Sequence, residues 1–192
     1  DLTEDTYFSG WKAYCMRWEF YDTFEPNDTR KDVILCEYDN SNGQRVNREN
    51  GMVGPIPIKF MDTQFANWGT QTAQPVLRYA EVLLSFAEAE NELNGPSAEA
   101  VQALKQVTDR AGVEIPASAT ASKEAFRDYL LLERGHELFG EGVRRQDLIR
   151  HGVYIKLARE RGNNAQDYQA LFPIPQFAIT ESNGILEQNP GY

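Results

Sequence analysis

The chain has 192 residues, of which 41% are hydrophobic and 25% are charged, and its formal net charge is −10. This composition is typical of a folded protein with its own core, and the length suffices for one large domain or two small ones. The acidic charge argues against a nucleic-acid partner, because neutralising phosphates requires a basic surface, and against an electrostatic membrane anchor. No apolar run approaches the roughly 18 residues that a membrane-spanning helix needs.

Cys15 and Cys36 could form a disulfide or remain as two free thiols, and their spacing is not that of a metal-binding knuckle. The chain begins DLTEDTYFSG, without an initiator Met or a recognisable signal peptide. We therefore expect it to be a processed piece of a longer protein whose targeting signal has been removed.

Residues 1–74 combine many aromatic side chains with an irregular, polar pattern. Pro26 and Asn27-Asp28 in FEPNDTRKD disfavour a continuing helix. The β-branched run VILCEY, Val33–Tyr38, predicts a strand, and the DNSNG that follows it predicts a turn. We therefore expect a hairpin or meander within a section that is otherwise irregular.

Two amphipathic segments after Gln74 predict a helical hairpin. The first, PVLRYAEVLLSFAEAENELNG, starts at Pro75 and ends at Asn94-Gly95, and the second, SAEAVQALKQVTDRAG, is stopped by Gly112. The pair spans roughly one tetratricopeptide period of about 34 residues. A single hairpin of this kind cannot bury its own apolar face, so it must pack on something else.

The segment KEAFRDYLLLERGHELFGEG predicts a third helix, with Ser122 as its N-cap and an end near Gly140 or Gly142. RRQDLIRHG predicts a short further helix, and the proline-containing end of the chain predicts an extended tail.

The predicted fold is mainly α: a tetratricopeptide-like helical hairpin plus further helices, with an irregular, partly β N-terminal section and an extended C-terminal tail. We expect a single domain over residues 1–192. Its parts are the irregular section 1–74, the helical section 75–152, and a helix followed by the tail in 153–192.

The stretch ERGHELFGEGVRRQDLIRHG, residues 133–152, contains both histidines of the chain and raises the question of a metal site. A helical zinc site needs a second His four residues after His136, and that position is Gly140. A di-iron site needs two Glu-x-x-His pairs, and only Glu133 and His136 have this spacing. The sequence therefore predicts neither a metal nor a cofactor here.

A structural charge network is the favoured interpretation of this stretch. On a helix Glu133, Glu137 and Glu141 follow one another along one edge, and aligned carboxylates repel unless cations lie opposite. Arginines suit this role because each can hold a carboxylate through two parallel hydrogen bonds. The predicted network comprises Glu133, Arg134, Glu137, Glu141, Arg144, Asp147 and Arg150. It would fasten the third helix and the short helix after it to the hairpin.

Four segments carry a family resemblance. They are NDTR at Asn27–Arg30, RYAEVLLSFAEAENEL at Arg78–Leu93, ERGHELFGEGVRRQDLIRHG at Glu133–Gly152 and LFPIPQFAITESNGILEQNPGY at Leu171–Tyr192. In this order they resemble the SusD/RagB family of outer-membrane nutrient-binding lipoproteins. The match is to the C-terminal portion of the family's pattern, without its lipidated N-terminal cysteine and its further helical repeats.

The resemblance implies a non-catalytic protein of the outer membrane that captures a nutrient, usually a glycan, at the cell surface. It implies delivery of that nutrient to a SusC-like TonB-dependent transporter, no cofactor, and membrane attachment only through a lipid anchor missing from this chain. The hairpin Pro75–Gly112 would be scaffold that meets the transporter, and the loops before it would hold the ligand.

Two alternatives remain open. One is a binder of peptides or other nutrients within the same family, and the other is a helical-repeat protein-interaction module without a small ligand. A hydrolase would need two carboxylates facing each other across a cleft, and nothing in the sequence sets up such a pair.

A sugar would stack its C–H faces on aromatic rings while nearby polar side chains bind its hydroxyl groups. Two groups of residues have this composition, one in WKAYCMRWEF and one in the polar, glycine-containing loop QFANWGTQ. The candidate ligand-binding residues are Trp11, Tyr14, Arg17 and Trp18 in the first group and Phe65, Asn67 and Trp68 in the second. Packing in the core is the competing explanation for each aromatic side chain.

Overall fold

The computed structural model describes residues 15–40, 42–60, 72–73 and 75–192. The chain forms two compact units, residues 1–142 and 143–192. Within the described ranges there are seven α-helices, three 3-10 turns and two small antiparallel sheets, so the mainly α fold class is confirmed. None of the helices in these ranges is both long and apolar enough to cross a membrane. The expectation of a single domain stays a prediction.

The N-terminal section of the first unit consists of short elements. They are α1 (Trp18–Tyr21), a 3-10 turn (Thr29–Val33), β1 (Ile34–Leu35), β2 (Glu37–Asp39), β3 (Arg45–Asn47) and β4 (Ile56–Pro57). β1 pairs with β4 and β2 pairs with β3, both antiparallel. The predicted single strand Val33–Tyr38 is therefore divided, because Cys36 separates two strands that pair with different partners. Cys15 and Cys36 are free thiols.

A small apolar cluster forms the core of this section. Met16, Phe24, Ile34 and Phe139 are buried together. Phe139 follows the third long helix, so the cluster joins the N-terminal section to the helical part of the same unit. Burial of these apolar side chains favours that attachment.

The predicted hairpin consists of α2 (Tyr79–Asn94) and α3 (Ala98–Ala111), which pack against each other. Leu84 of α2 and Leu104 of α3 are fully buried in the helical core. α2 begins at Tyr79, later than the predicted start at Pro75. The residues between them form a non-helical lead-in to the helix.

Local capping interactions set the helix boundaries. Ser97 Oγ accepts a hydrogen bond from the N–H of Ala100 at 3.2 Å, and Ser122 Oγ accepts one from Ala125 at 3.1 Å. Gly112 follows α3 in the left-handed conformation with φ of 73°. Glycine adopts this conformation without a steric penalty, so it ends the helix where the sequence predicts.

The third long helix, α4 (Lys123–Glu137), packs against α2. Its buried face begins with Phe126 and Leu130 and continues toward the C-terminus with charged side chains. The helix ends before the two glycines at which an end was predicted, because side chains rather than a further helical turn bind its last carbonyl. This places its C-terminus inside a cluster of charges.

The second unit contains α5 (Arg144–Arg150), α6 (Tyr154–Glu160), a 3-10 turn (Asp167–Ala170) and α7 (Gln176–Glu181). The tail is less extended than predicted, because the 3-10 turn and α7 lie within it. Gln188 fastens its end, since Oε1 accepts from the Ile174 N–H at 2.7 Å and Nε2 donates to the Ile174 carbonyl at 2.9 Å.

Candidate functional site

Eight charged side chains meet at the C-terminal end of α4. We name them the buried charge cluster: Asp28, Arg30, Lys59, Arg78, Arg110, Glu133, Glu137 and Glu141. Half of them are acidic and half are basic, so the formal charges balance. They come from five separate parts of the first unit, so the cluster connects segments that are distant in sequence.

Arg30 lies at the most buried end of the cluster. Its Nη2 and Nε donate to the Asp28 carboxylate at 2.7 and 2.9 Å. Its Nη1 donates to Glu133 Oε1 at 2.5 Å and to Glu137 Oε2 at 3.3 Å. These four side chains are at most 5% exposed. A charge buried this deeply persists only when it is ion-paired and hydrogen-bonded, and the three carboxylates around Arg30 provide both interactions.

Four cations from four separate parts of the chain donate hydrogen bonds to Glu137. Its Oε1 accepts from Arg78 Nη1 at 2.6 Å, and its Oε2 accepts from Arg110 Nη2 at 2.6 Å as well as from Arg30. Its backbone carbonyl, the last of α4, accepts from Arg78 Nη2 and from Lys59 Nζ, both at 2.6 Å. Cations are favoured at this position, because unpaired carbonyls give a helix C-terminus partial negative charge.

Glu141 lies just beyond α4 and binds two cations through its carboxylate. Its Oε2 accepts from Arg78 Nε at 2.7 Å, and its Oε1 accepts from Arg78 Nη2 at 2.9 Å. The same Oε1 also accepts from Lys59 Nζ. The Lys59 ammonium lies 4.8 Å from the centre of the Phe139 ring. The two parallel bonds from Arg78 fix the orientation of the carboxylate.

His136 lies among aromatic side chains next to the cluster. Its ring centre is 4.0 Å from that of Phe24, and its Nε2 shares a 2.8 Å hydrogen bond with Thr23 Oγ1. Its Nδ1 lies 3.6 Å from Glu133 Oε2. Among the residues that the structure describes, no group of three or more His, Cys, Asp or Glu side chains is arranged to hold a metal ion.

Burial and pairing act in opposite directions on the pKa values of the cluster. Burial alone would raise the pKa of Glu133, but hydrogen bonds from His136 and Arg30 outweigh it and hold that pKa below its ordinary value. The pKa of Glu141 is lowered in the same way, since its two cationic partners outweigh its burial. Both carboxylates are therefore charged at neutral pH, as an ion-paired clamp between segments requires.

The structure places Arg30, Lys59, Arg78 and Arg110 against these carboxylates. The network predicted with Arg134, Arg144 and Arg150 stays a prediction. Arg134 donates to Ser85 Oγ at 3.1 Å. Arg144, Asp147 and Arg150 lie in the second unit, where Arg150 Nη2 donates to Asp147 Oδ1 at 2.9 Å. The residues that sequence reasoning missed are Asp28, Arg30, Lys59, Arg78 and Arg110. Three of them lie in family-like segments: Asp28 and Arg30 in NDTR, and Arg78 at the start of RYAEVLL. The family resemblance is therefore the sequence signal that indicates these three residues.

Only part of the candidate ligand-binding set lies within the described residues. Trp11, Tyr14, Phe65, Asn67 and Trp68 lie outside them. Arg17 is exposed, and its Nε donates to Glu19 Oε2 at 3.2 Å. Trp18 is half-buried and belongs to α1.

Trp18 makes several contacts within the protein. Its Nε1 donates to the Met52 carbonyl at 3.2 Å. The guanidinium of Arg48 lies over the indole, 4.8 Å from the ring centre, and two 2.8 Å hydrogen bonds to Asp22 hold it there. The N–H and one face of Trp18 are therefore engaged, which leaves less of this ring for a ligand.

A groove of about 520 Å³ runs along the hairpin of α2 and α3. Leu83 and Phe86 line it from α2, and Ala98, Gln102 and Gln106 line it from α3. Phe86 is 50% exposed. An apolar surface with a polar rim is typical of faces that another protein segment covers.

The sequence profile of the SusD family matches residues 36–192 of the chain. The chain belongs to the SusD family. The resemblance found in the four segments is thereby confirmed. SusD family proteins are associated with glycan binding in nutrient uptake and are generally non-catalytic binding proteins.

Relatives of this SusD family chain include two SusD-like proteins of Formosa agariphila. They are 35% and 32% identical to it over 133 and 124 residues. Each match covers 61% of this chain and 24% of the relative. The chain therefore spans about a quarter of the length of the curated relatives that it matches.

Solved SusD-like structures share the fold. A SusD homolog from Bacteroides thetaiotaomicron superposes with a TM-score of 0.67 at 27% identity, over 86% of this chain and 41% of that one. Surface glycan-binding protein A from the same organism superposes with a TM-score of 0.68 at 23% identity, over 97% of this chain and 43% of that one.

Proposed function

We propose that this chain is the C-terminal portion of a cell-surface protein that binds a glycan nutrient without changing it chemically. The protein delivers this nutrient to a SusC-like TonB-dependent transporter in the outer membrane, and a lipid anchor outside these 192 residues holds it there. The observation that carries the proposal is the match of residues 36–192 to the SusD family. The likeness to a surface glycan-binding protein over 97% of the chain supports it.

The proposed contacts to the glycan are made by the two aromatic groups of the N-terminal section. Trp68, with Phe65 and Asn67, has the leading role, because the sequence offers an aromatic face beside an amide in a polar loop. Trp11, Tyr14, Arg17 and Trp18 form the second group. Trp18 contributes less than Trp68, since Arg48 and the Met52 carbonyl already engage its face and its N–H.

A glycan-array screen on this chain and on the full-length protein tests the proposal. Binding by both assigns the site to these 192 residues, and binding by the longer protein alone makes this portion scaffold. Trp68→Ala then weakens affinity about tenfold, equivalent to ~1.4 kcal/mol, with the melting temperature nearly unchanged. Trp18→Ala is the comparison, because it lowers the melting temperature through its lost internal contacts.

A lower melting temperature for Trp68→Ala without a change in affinity would assign Trp68 to the core instead of the ligand site. If neither protein binds a glycan on the array although both are folded, the result would contradict a glycan ligand. A binder of peptides or other nutrients of the same family would then be tested with peptide libraries.

A helical-repeat interaction module without a small ligand is the second candidate. The groove along the hairpin favours it, because Phe86 and Leu83 present apolar surface there. Phe86→Asp would abolish binding to a protein partner in this case and would leave glycan binding intact in the first case. The two candidates therefore give opposite results with one variant.

A further inference from the structure

The surface of the N-terminal section carries an excess of carboxylates. Among its described residues, three exposed carboxylates have no ion pair: Glu25, Asp32 and Glu49. One cation in the same ranges lacks a carboxylate partner, Lys31, whose ammonium lies 5.0 Å from the centre of the Tyr21 ring. The whole chain is also acidic, with a formal net charge of −10. A negatively charged ligand that approaches this surface is therefore repelled, whereas a neutral one is not.

The exposed arginines of this surface are already paired. Arg17 Nε donates to Glu19 Oε2 at 3.2 Å. Arg45 bridges two carboxylates, since its Nη2 donates to Glu37 at 2.7 Å and its Nη1 donates to Asp39 at 3.2 Å. An acidic ligand therefore gains one of these guanidinium groups only by displacing a carboxylate of the protein.

Arg48 shows this most clearly, because its guanidinium lies over the candidate ligand residue Trp18. The group is 4.8 Å from the centre of the indole ring. Its Nη1 and Nη2 donate to Asp22 Oδ1 and Oδ2, both at 2.8 Å. Two parallel hydrogen bonds are also the geometry in which arginine binds the carboxylate of an acidic sugar. Asp22 therefore occupies the anion-binding edge of Arg48 next to the aromatic ring.

Asp22 has an advantage over a carboxylate that arrives from solution. It belongs to the same chain as Arg48, so its effective concentration at the guanidinium is on the order of mM, as for groups joined by a short linker. The hydrogen bonds from Arg48 also hold the pKa of Asp22 below its ordinary value, so Asp22 is charged at neutral pH. A ligand carboxylate present at about 1 μM does not displace such a partner.

We propose that the ligand is a neutral glycan and that Asp22 is a specificity-determining residue, because it keeps Arg48 from binding the carboxylate of an acidic sugar. This inference rests on the proposed function, since it concerns the charge of the glycan bound beside Trp18. A neutral sugar needs no free cation. Its C–H face stacks on an aromatic ring, and its hydroxyl groups bind paired carboxylates and guanidinium groups without separating them.

Matched pairs of neutral and acidic oligosaccharides test the charge of the ligand. The pairs are galacto-oligosaccharides with oligogalacturonates, gluco-oligosaccharides with oligoglucuronates, and xylo-oligosaccharides without and with glucuronate side groups. Both this chain and the full-length protein are titrated. We expect the neutral member of the pair that binds to be preferred about tenfold, because unpaired carboxylates face the acidic member. An acidic member that binds as tightly as its neutral counterpart, or more tightly, would overturn the proposal.

Asp22→Asn tests the role of Asp22. Asn offers no charge to Arg48, so the guanidinium beside Trp18 becomes available, and we expect affinity for the acidic member to rise about threefold, as for an exposed ion pair. Asp109→Asn is the matched control, because it also removes one carboxylate from an exposed ion pair, that with Lys105 in α3. Equal gains for D22N and D109N would assign the effect to net charge and overturn the role of Asp22.

Two further measurements keep the test independent of one variant. The double variant D22N/R48Q loses the gain of D22N, because the released guanidinium is gone; a gain that persists would overturn the role of Arg48. For the wild-type protein, raising the salt from about 10 mM to about 300 mM reduces the preference for the neutral member, since salt screens exposed charges. A preference that does not change with salt would overturn its electrostatic origin.

The outcomes separate this inference from the proposed function. Preferred binding of an acidic glycan would overturn the inference alone, and the proposed function would stand. If neither this chain nor the full-length protein binds a neutral or an acidic glycan, the proposed function fails and the inference fails with it.

Discussion

Replacing Glu137 by Gln removes the negative charge on which three arginines converge and keeps the size of the side chain. Glu137 is 1% exposed, and its carboxylate accepts hydrogen bonds from Arg78, Arg110 and Arg30 at 2.6, 2.6 and 3.3 Å. Gln offers one acceptor oxygen and turns an NH2 group toward a guanidinium, which is itself a donor. At least one arginine therefore loses the carboxylate oxygen that accepts its hydrogen bond.

The expected loss in the free energy of unfolding is about 3 kcal/mol, because removal of one partner of a buried ion pair typically costs roughly 3–5 kcal/mol. The lower end of this range applies here. Arg110 is 58% exposed and can turn its guanidinium to water, and Arg30 keeps Asp28 and Glu133 as partners. Arg78 likewise keeps Glu141.

Urea unfolding followed by circular dichroism at neutral pH measures this loss. Asp109→Asn is the matched control, because it also removes one charge from an ion pair. The Lys105–Asp109 pair is exposed and one helical turn apart, so this variant costs at most about 0.5 kcal/mol. In a thermal scan Glu137→Gln lowers the melting temperature by roughly 6–12 °C. Equal losses for E137Q and D109N would refute the view that the buried charge cluster holds the first unit together.

Three further outcomes are expected. The pKa of Glu133 in the folded state is depressed from its ordinary value of 4.5, so the stability that this carboxylate contributes is present above 4.5 and is lost as the pH falls through the folded pKa. Urea unfolding at a series of pH values from neutral to acidic measures this loss. A Glu133→Gln variant whose stability depends on pH in the same way as that of the wild type would contradict the prediction. Leu104 is fully buried, so Leu104→Ala lowers the free energy of unfolding by about 3 kcal/mol. Leu93 is 80% exposed, and Leu93→Ala is nearly neutral in the same assay. Similar losses for the two variants would argue against a buried interface between α2 and α3. Elemental analysis of the purified protein finds no stoichiometric zinc or iron, and one bound metal per chain would reopen the ligand role of Glu133 and His136.

Several features of the fold follow from residues that are close in sequence. The three long helices have a period of apolar residues, and two of them, α3 and α4, begin at the N-caps Ser97 and Ser122, where the pattern predicts. The sequence indicates Trp68 as a ligand residue through its place in a polar, glycine-containing loop, and Trp18 through the aromatic and polar residues close to it in the chain. For Trp18 the structure adds the cover by Arg48, a residue far from it in the chain, and composition carries no information about such a contact.

By itself, the sequence determined which side chains carry the charges at the end of α4, because helical periodicity places Glu133 and Glu137 on one edge. Only the tertiary structure decided which cations meet them. Arg30 is 103 residues from Glu133 along the chain, and the two meet because the turn after Asp28 packs beside α4. The pairing of these carboxylates with the neighbouring Arg134, Arg144 and Arg150 stays a prediction, since an ion pair depends on the distance between atoms in space, and that distance is set by how the hairpin and the aromatic core pack against α4.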